Sequence, residues 1–377
     1  MRGAGRVESP PPHPTMSHTI KKRAASPEQA AETLDRHVRE TVRWHFSPET
    51  GTPYWLEFAE KAGWSPLKEV QGFADLLRFP HFDGDLLRTE PHERWVPREY
   101  KGRPFTIFET GGTTGLPKQR IGWDDYKIDY EEFSEDLDDA AFPRGGYWLM
   151  VGPTGPRRLR LAIEHLANHR GSSVYFVDLD PRWVKKLISS GQGDQAKAYM
   201  VHVIDQAMLI LKHRKVEALF TTPKLLESLA DQISIPEAGI KGVFCGGTEM
   251  NPQNVRFLCE EILEGETKLM PTYGNTLMGL AHCKPTFEEE DYSVTYYAPQ
   301  PRAVTRVVNP EKTDEVVGYG QWGRVELTTL TRELFLPRFL ERDEAIRREP
   351  WGNYHWDGAG EVRPFAKEKK KIVEGVY

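Results

Sequence analysis

Phe108–Arg120 reads FETGGTTGLPKQR, and the rest of the chain is best understood outward from it. It follows a strand-like run, Arg103–Thr110 (RPFTIFET), and places Gly111, Gly112 and Gly115 around Thr113 and Thr114. Glycines let backbone amides turn toward an anion with no side chain in the way. Thr113 and Thr114 add hydroxyl donors, Thr110 opens the loop, and Lys118 supplies a point charge. The common nucleotide loop is excluded, because it needs four residues between its first Gly and a Gly-Lys-Ser/Thr. Here Lys118 follows Leu116-Pro117, and Gln119 stands where a metal-binding hydroxyl would be required. Two readings remain: a phosphate cradle of another type, or an ordinary glycine-rich turn with an exposed lysine.

Downstream, strand-like runs alternate with helical ones. YWLMVGP, SSVYFVDLD, VEALFTTP, IKGVFCGG and TKLMPTYG read as strands; RRLRLAIEHLANHRG, AYMVHVIDQAMLILKHRK, KLLESLADQIS and PQNVRFLCEEIL read as helices between them. Such alternation predicts an α/β fold with a parallel sheet covered on both faces, whose ligands sit beyond the carboxyl ends of strands. Upstream, Ser26 followed by Pro27 and Glu28 marks a helix start. Beyond about residue 290 the texture turns β-branched and aromatic, with turns at NPEKTD and GYGQWG, which predicts a smaller antiparallel subdomain. The expected organisation is a disordered tail at 1–25, an α/β core at 26–290, a β-rich subdomain at 291–345 and a short tail at 346–377.

Fifty basic against 56 acidic residues leave a net charge of −6, which argues against nucleic-acid binding by bulk electrostatics. No apolar run approaches the ~20 residues of a membrane-spanning helix. The N-terminal residues lack the apolar stretch of a secretory signal. Three cysteines, Cys245, Cys259 and Cys283, make no disulfide framework and suit a reducing compartment. The expectation is a cytoplasmic enzyme.

Four segments taken in order carry a resemblance: TGGTTGLPK (110–118), CGGTEMNP (245–252), PTYGNT (271–276) and LTRELFLPRFLERDEA with Arg338, Arg342 and Asp343. Together they resemble the adenylate-forming acyl/aryl-CoA synthetase superfamily, closest in look to its phenylacetate–CoA ligase and acyl-protein synthetase branch. The resemblance implies an AMP-forming ligase using ATP and Mg2+. A small or aromatic carboxylic acid becomes an acyl-adenylate, pyrophosphate leaves, and a thiol or amine takes the acyl group. It implies phosphate contacts from the glycine loop and Lys118, with Thr276 on the α-phosphate. Gly247, Thr248 and Glu249 would border the adenine, Tyr273 would stack on it, and Asp343 would accept the ribose hydroxyls. Gly274, Asn275 and Arg338 would belong to the same nucleotide site.

The sequence departs from that pattern twice. The resemblance places a magnesium-binding Glu after Thr276, but the residue is Leu277, so the protein ligand to the metal is open, with Glu249 or another carboxylate as substitute. It also implies a further C-terminal domain that supplies a catalytic lysine, whereas 34 residues follow Asp343. The acyl acceptor therefore stays open among CoA, a carrier-protein thiol, an amine and a protein cysteine. The lysines of KEKKK (367–371) either reach the site or form a solvated basic tail. The alternative is a nucleotide-binding subunit inactive without a partner protein that supplies the missing lysine. The arginines of GPTGPRRLRLAIEH (152–165) either meet a second acidic group on the substrate or cover a helix face. Cys245, Cys259, His282 and Cys283 lack the paired spacing of a structural zinc site.

Overall fold

The computed structural model describes residues 25–110, 116–156, 158–247 and 249–365. The expected strand–helix alternation is present. Parallel strands β3 (Tyr147–Gly152), β4 (Ser173–Asp178), β5 (Ala218–Thr221), β6 (Gly242–Gly246) and β7 (Lys268–Asn275) lie side by side in the order β4-β3-β5-β6-β7. β5 and β6 are buried along their whole length, as expected of strands covered on both faces. Helices Arg158–His169, Gly193–His213 and Pro223–Ala230 make the crossovers.

The β-rich portion continues the same sheet. From β7 the pairing turns antiparallel through β8 (Gly279–Cys283) and β9 (Thr295–Tyr297). It then passes through β14 (Gly358–Pro364), β13 (Phe335–Arg348) and β12 (Trp322–Leu330) to β10 (Ala303–Asn309) and β11 (Lys312–Val316), giving twelve strands among the described residues. β14 falls in the segment read from sequence as tail, because its glycines look like turn signals. In the fold they serve close approach: a Cβ on Gly358 would lie 2.7 Å from the Thr295 methyl.

The run before the glycine loop forms β1 (Thr106–Glu109), and it is no part of the large sheet. It pairs antiparallel with β2 (Gln119–Gly122), from Thr106↔Gly122 to Glu109↔Gln119. Glu109 is therefore followed in the chain by the second strand of a ribbon, not by a helix. Thr110 N–H donates to the Lys118 carbonyl at 3.0 Å and closes its neck.

The helix Pro27–Phe46 starts where Ser26 Oγ accepts from Gln29 N–H, and it buries Leu34, Val38, Val42 and Phe46 at helical spacing. It anchors the β12–β13 turn. His45 Nε2 sits 2.7 Å from the Thr331 carbonyl, and Trp44 Nε1–H donates to the Arg332 carbonyl at 3.0 Å. Burial pushes the His45 imidazole down to about 4, so it is neutral and fixed.

Candidate active site

The parallel strands end on one side, and the residues just past their carboxyl ends line a cavity of about 340 Å³: Pro153 after β3, Thr222 after β5, Gly247 after β6 and Thr276 after β7. Lys118 and Thr110 reach it from the ribbon, and Glu341, Arg342 and Asp343 reach it from β13. Tyr130, Leu159, Phe220, Phe244, Leu277 and Leu280 give it apolar wall. Segments 110–118, 245–252, 271–276 and 341–343, distant in sequence, thus converge.

Lys118 is half-buried, its ammonium 4.2 Å from the centre of the Phe339 ring. Burial lowers its pKa below the usual lysine value, with Glu341 pulling the other way. Asn275 Nδ2–H donates to Glu341 Oε1 at 2.9 Å, which ties the end of β7 to β13. Burial, then the neighbouring Asp343, push the Glu341 carboxyl up to about 7. Asn275 also turns its own chain, since its Oδ1 accepts from Leu277 N–H at 2.9 Å and Met278 N–H at 2.8 Å. Tyr273 O–H donates to Asp343 Oδ2 at 3.0 Å. Burial, then Asp343 and Glu341, hold that phenol well above its ordinary value, so it stays a donor.

Behind Thr276 lies a buried ion cluster. The Arg120 guanidinium donates to the Thr276 carbonyl at 2.9 Å and the Leu277 carbonyl at 2.8 Å, and pairs with Asp125. Arg158 Nη2 reaches Asp129 Oδ2 at 2.7 Å and Asp125 Oδ1 at 3.2 Å; Arg302 pairs with Asp129. Glu333 caps the Asp125–Ser134 helix by accepting from the Trp123, Asp124 and Asp125 amides at 2.8, 2.6 and 2.9 Å. Burial lowers Arg120 and Arg302 to about 10, while burial and Asp125 push Glu333 up to about 8. The arginines around Asp125 outweigh its burial and hold its carboxyl below the usual range. The cluster fixes the backbone that presents Thr276.

Of the residues singled out by sequence, Thr110, Lys118, Gly247, Gly274, Asn275, Thr276 and Asp343 line the cavity. Tyr273 is placed behind Asp343, with its ring 5.6 Å from that of Tyr296. Glu249 is a half-buried loop residue outside the lining. Arg338 is also outside it. That side chain is buried, donates to the carbonyls of Leu77 at 3.0 Å and Phe79 at 2.9 Å, and pairs with Asp314. It clamps β13 to the N-terminal segment, a role any buried arginine in a charged run can take. Gly111, Gly112, Thr113, Thr114, Gly115 and Thr248 lie outside the described residues, as do Lys367–Lys371. Arg342, and Arg158 from the 152–165 segment, line the cavity as well, Arg158 being buried against Asp125 and Asp129 rather than covering an exposed helix face. Glu341, Arg120, Asp125 and Asp129 were not singled out. Glu341 looked like one charge in the ERDE run, and Asp125 and Asp129 like the polar face of a helix.

All three cysteines are buried, and burial raises each thiol above its ordinary value, which makes none of them a ready nucleophile. No group of three or more His, Cys, Asp or Glu side chains suited to a metal is found among the described residues. No helix among them is long and apolar enough to cross a membrane.

A large parallel-to-antiparallel sheet with a detached ribbon beside the cavity is an arrangement shared with the adenylate-forming fold, and solved structures match it. The chain superposes on 2-hydroxyisobutyryl-CoA ligase in the postadenylation state, in complex with R3-HIB-AMP, at a TM-score of 0.63. The identity is 15%, over 96% of this chain and 74% of the ligase. An open conformation of the same ligase, holding 2-HIB-AMP and CoA, matches at 0.62 and 14% identity over 90% and 70%. Its thioesterification state matches at 0.61 and 15%, over 91% and 70%. No protein-family model matches the chain. No curated protein matches it either.

Proposed function

We propose that this chain activates a carboxylic acid by adenylation. The observation that carries the reading is the convergence of Lys118, Thr276 and Asp343 on one cavity that also has an apolar stretch of wall at Leu159, Phe220, Phe244 and Leu280. A carboxylate oxygen attacks the α-phosphorus of ATP, the bond from that phosphorus to the bridging oxygen breaks, and pyrophosphate carries away the electron pair. No proton need move. The protein's work is to align two anions and to absorb charge as it shifts onto pyrophosphate.

Lys118 provides the movable cation for the phosphates, leaving the Phe339 face as they enter. The Thr276 hydroxyl donates to the α-phosphate from a backbone that Arg120 holds still. Asp343, oriented by Tyr273, accepts the ribose hydroxyls. The apolar wall formed by Phe220, Phe244 and Leu280 takes the acid. Magnesium would be held mainly by phosphate oxygens, as this ion commonly binds. Leu277 is buried and has no oxygen to give it, so of the two carboxylates lining the cavity Glu341 would be the protein ligand, Asp343 holding the ribose. When bound, the metal neutralises charge on the leaving group. The acyl acceptor is a thiol or amine, and a small or aromatic acid suits the wall.

The test is mass spectrometry of the products formed from ATP, magnesium and a panel of aryl and short acyl acids. Acyl-AMP, or AMP with pyrophosphate, is expected, and is lost in Lys118→Ala and Asp343→Ala. ATP binding without turnover would instead favour a subunit that needs a partner protein. Release of ADP would overturn adenylation.

A further inference from the structure

Two side chains in the cavity wall are buried with their hydrogen-bonding capacity unused. Arg158, 4% exposed at the start of the Arg158–His169 helix, has no partner for Nε or Nη1 among the described residues. Thr222, 3% exposed after β5, has none among them for its hydroxyl, and caps the Pro223–Ala230 helix without a side-chain hydrogen bond. Both line the cavity, among Leu159, Phe220 and Phe244. A buried donor left unmade costs roughly 1–3 kcal/mol. Beside apolar neighbours such as Leu159, Phe220 and Phe244, such donors are the polar handles by which a pocket fixes its ligand.

We infer that the acid activated here carries a second oxygen, neutral in charge, that accepts a hydrogen bond from Arg158 or Thr222. A hydroxyl, keto or ether oxygen meets this description. This deepens the adenylation reading and rests on it. Geometry decides for a neutral group over a second carboxylate. A guanidinium grips a carboxylate through one of two paired-donor edges, and both edges include Nη2. In Arg158 that nitrogen is already taken, by Asp129 Oδ2 at 2.7 Å and Asp125 Oδ1 at 3.2 Å. What remains is the single hydrogen of Nε and the two of Nη1, and no two of these nitrogens form a free paired edge. A neutral oxygen needs no paired edge. The aspartates are themselves fixed: Gly279 leaves room for one of them, since a Cβ there would meet Asp129 Oδ2 at 2.3 Å.

The experiment is ATP–pyrophosphate exchange with sets of acids sharing one carbon skeleton. Butyrate is compared with its hydroxy and oxo derivatives and with succinate; phenylacetate is compared with its ring-hydroxylated and ring-carboxylated derivatives. The expected result is that, in the skeleton turned over best, a hydroxy, oxo or ether member exceeds the parent roughly a hundredfold in exchange efficiency. Thr222→Val and Arg158→Lys, each checked by melting temperature, should shrink that ratio in at least one variant. Exchange without discrimination, or with the parent acid preferred throughout, overturns this inference and leaves adenylation standing. Preference for the dicarboxylates overturns it too, as does a ratio unchanged in both folded variants. If Arg158→Lys fails to fold, the wild-type ratios and Thr222→Val still decide. Absence of exchange with every acid overturns adenylation and this inference together.

Discussion

Tyr273 O–H donates to Asp343 Oδ2 at 3.0 Å, so the last turn of the parallel half-sheet fixes a carboxylate that the antiparallel half presents. A carboxylate accepting from a buried phenol keeps its remaining lone pairs in a set direction. Tyr273→Phe removes that donor and nothing else of the ring. A hydrogen bond to a charged group is worth about 1.5–3 kcal/mol. If Asp343 holds the ribose, the ATP dissociation constant measured by calorimetry rises roughly tenfold or more, with little change in melting temperature. An unchanged constant would remove Asp343, as oriented here, from the nucleotide site.

Lys118 gives a prediction with a defined pH direction. Its pKa lies below the usual lysine value chiefly because it is partly buried. The unfolded chain therefore binds the proton more tightly, and the group costs stability below its folded pKa, a cost relieved as pH rises through it. ATP binding has the opposite slope, because the phosphates need the charged form. Affinity for ATP should fall as pH rises through that lowered value, and the fall should be absent in Lys118→Met. A pH-independent affinity would place another cation on the phosphates.

How much of this was legible in the sequence can be argued from the same residues. The strand–helix alternation and the loop after β6 could be read because parallel strands such as Val243–Cys245 are buried on both faces and become continuous apolar runs. The ribbon could not, since its second strand, Gln119–Gly122, is four residues long and finds its partner, Thr106–Glu109, only in the fold. Position 341 was hidden for a different reason. Within a charged run only tertiary pairing, here with Asn275, separates a cavity carboxylate from a solvated one. Aspartates 125 and 129 read as the polar face of a helix, and only the fold, which brings Arg158 and Arg302 beside the neighbouring Arg120, makes their burial tolerable.

Glu341 predicts a stability difference between Glu and Gln that depends on pH. Burial and Asp343 push its carboxyl up to about 7 from an ordinary value near 4.5. The folded state thus holds the proton more tightly, and the associated stability is full below about 4.5 and lost as pH rises through about 7. Glu341→Gln should match the wild type in melting temperature at acid pH. It should exceed the wild type by about 2 °C or more above neutrality. Equal melting curves at every pH would mean that Glu341 is solvated.

Arg120 is where site and fold are least separable. Its guanidinium is 2% exposed, holds the carbonyls of Thr276 and Leu277, and neutralises Asp125. Removing one partner of a buried pair leaves the other charge uncompensated, at about 3–5 kcal/mol. Arg120→Met should therefore lower the urea midpoint sharply. Arg120→Lys keeps the charge but cannot span both carbonyls and the aspartate with one ammonium. The lysine variant should recover much of the midpoint while keeping a depressed kcat, because Thr276 is no longer held at the α-phosphate. Equal recovery of stability and kcat would show that Arg120 serves the core alone and that Thr276 needs no such support.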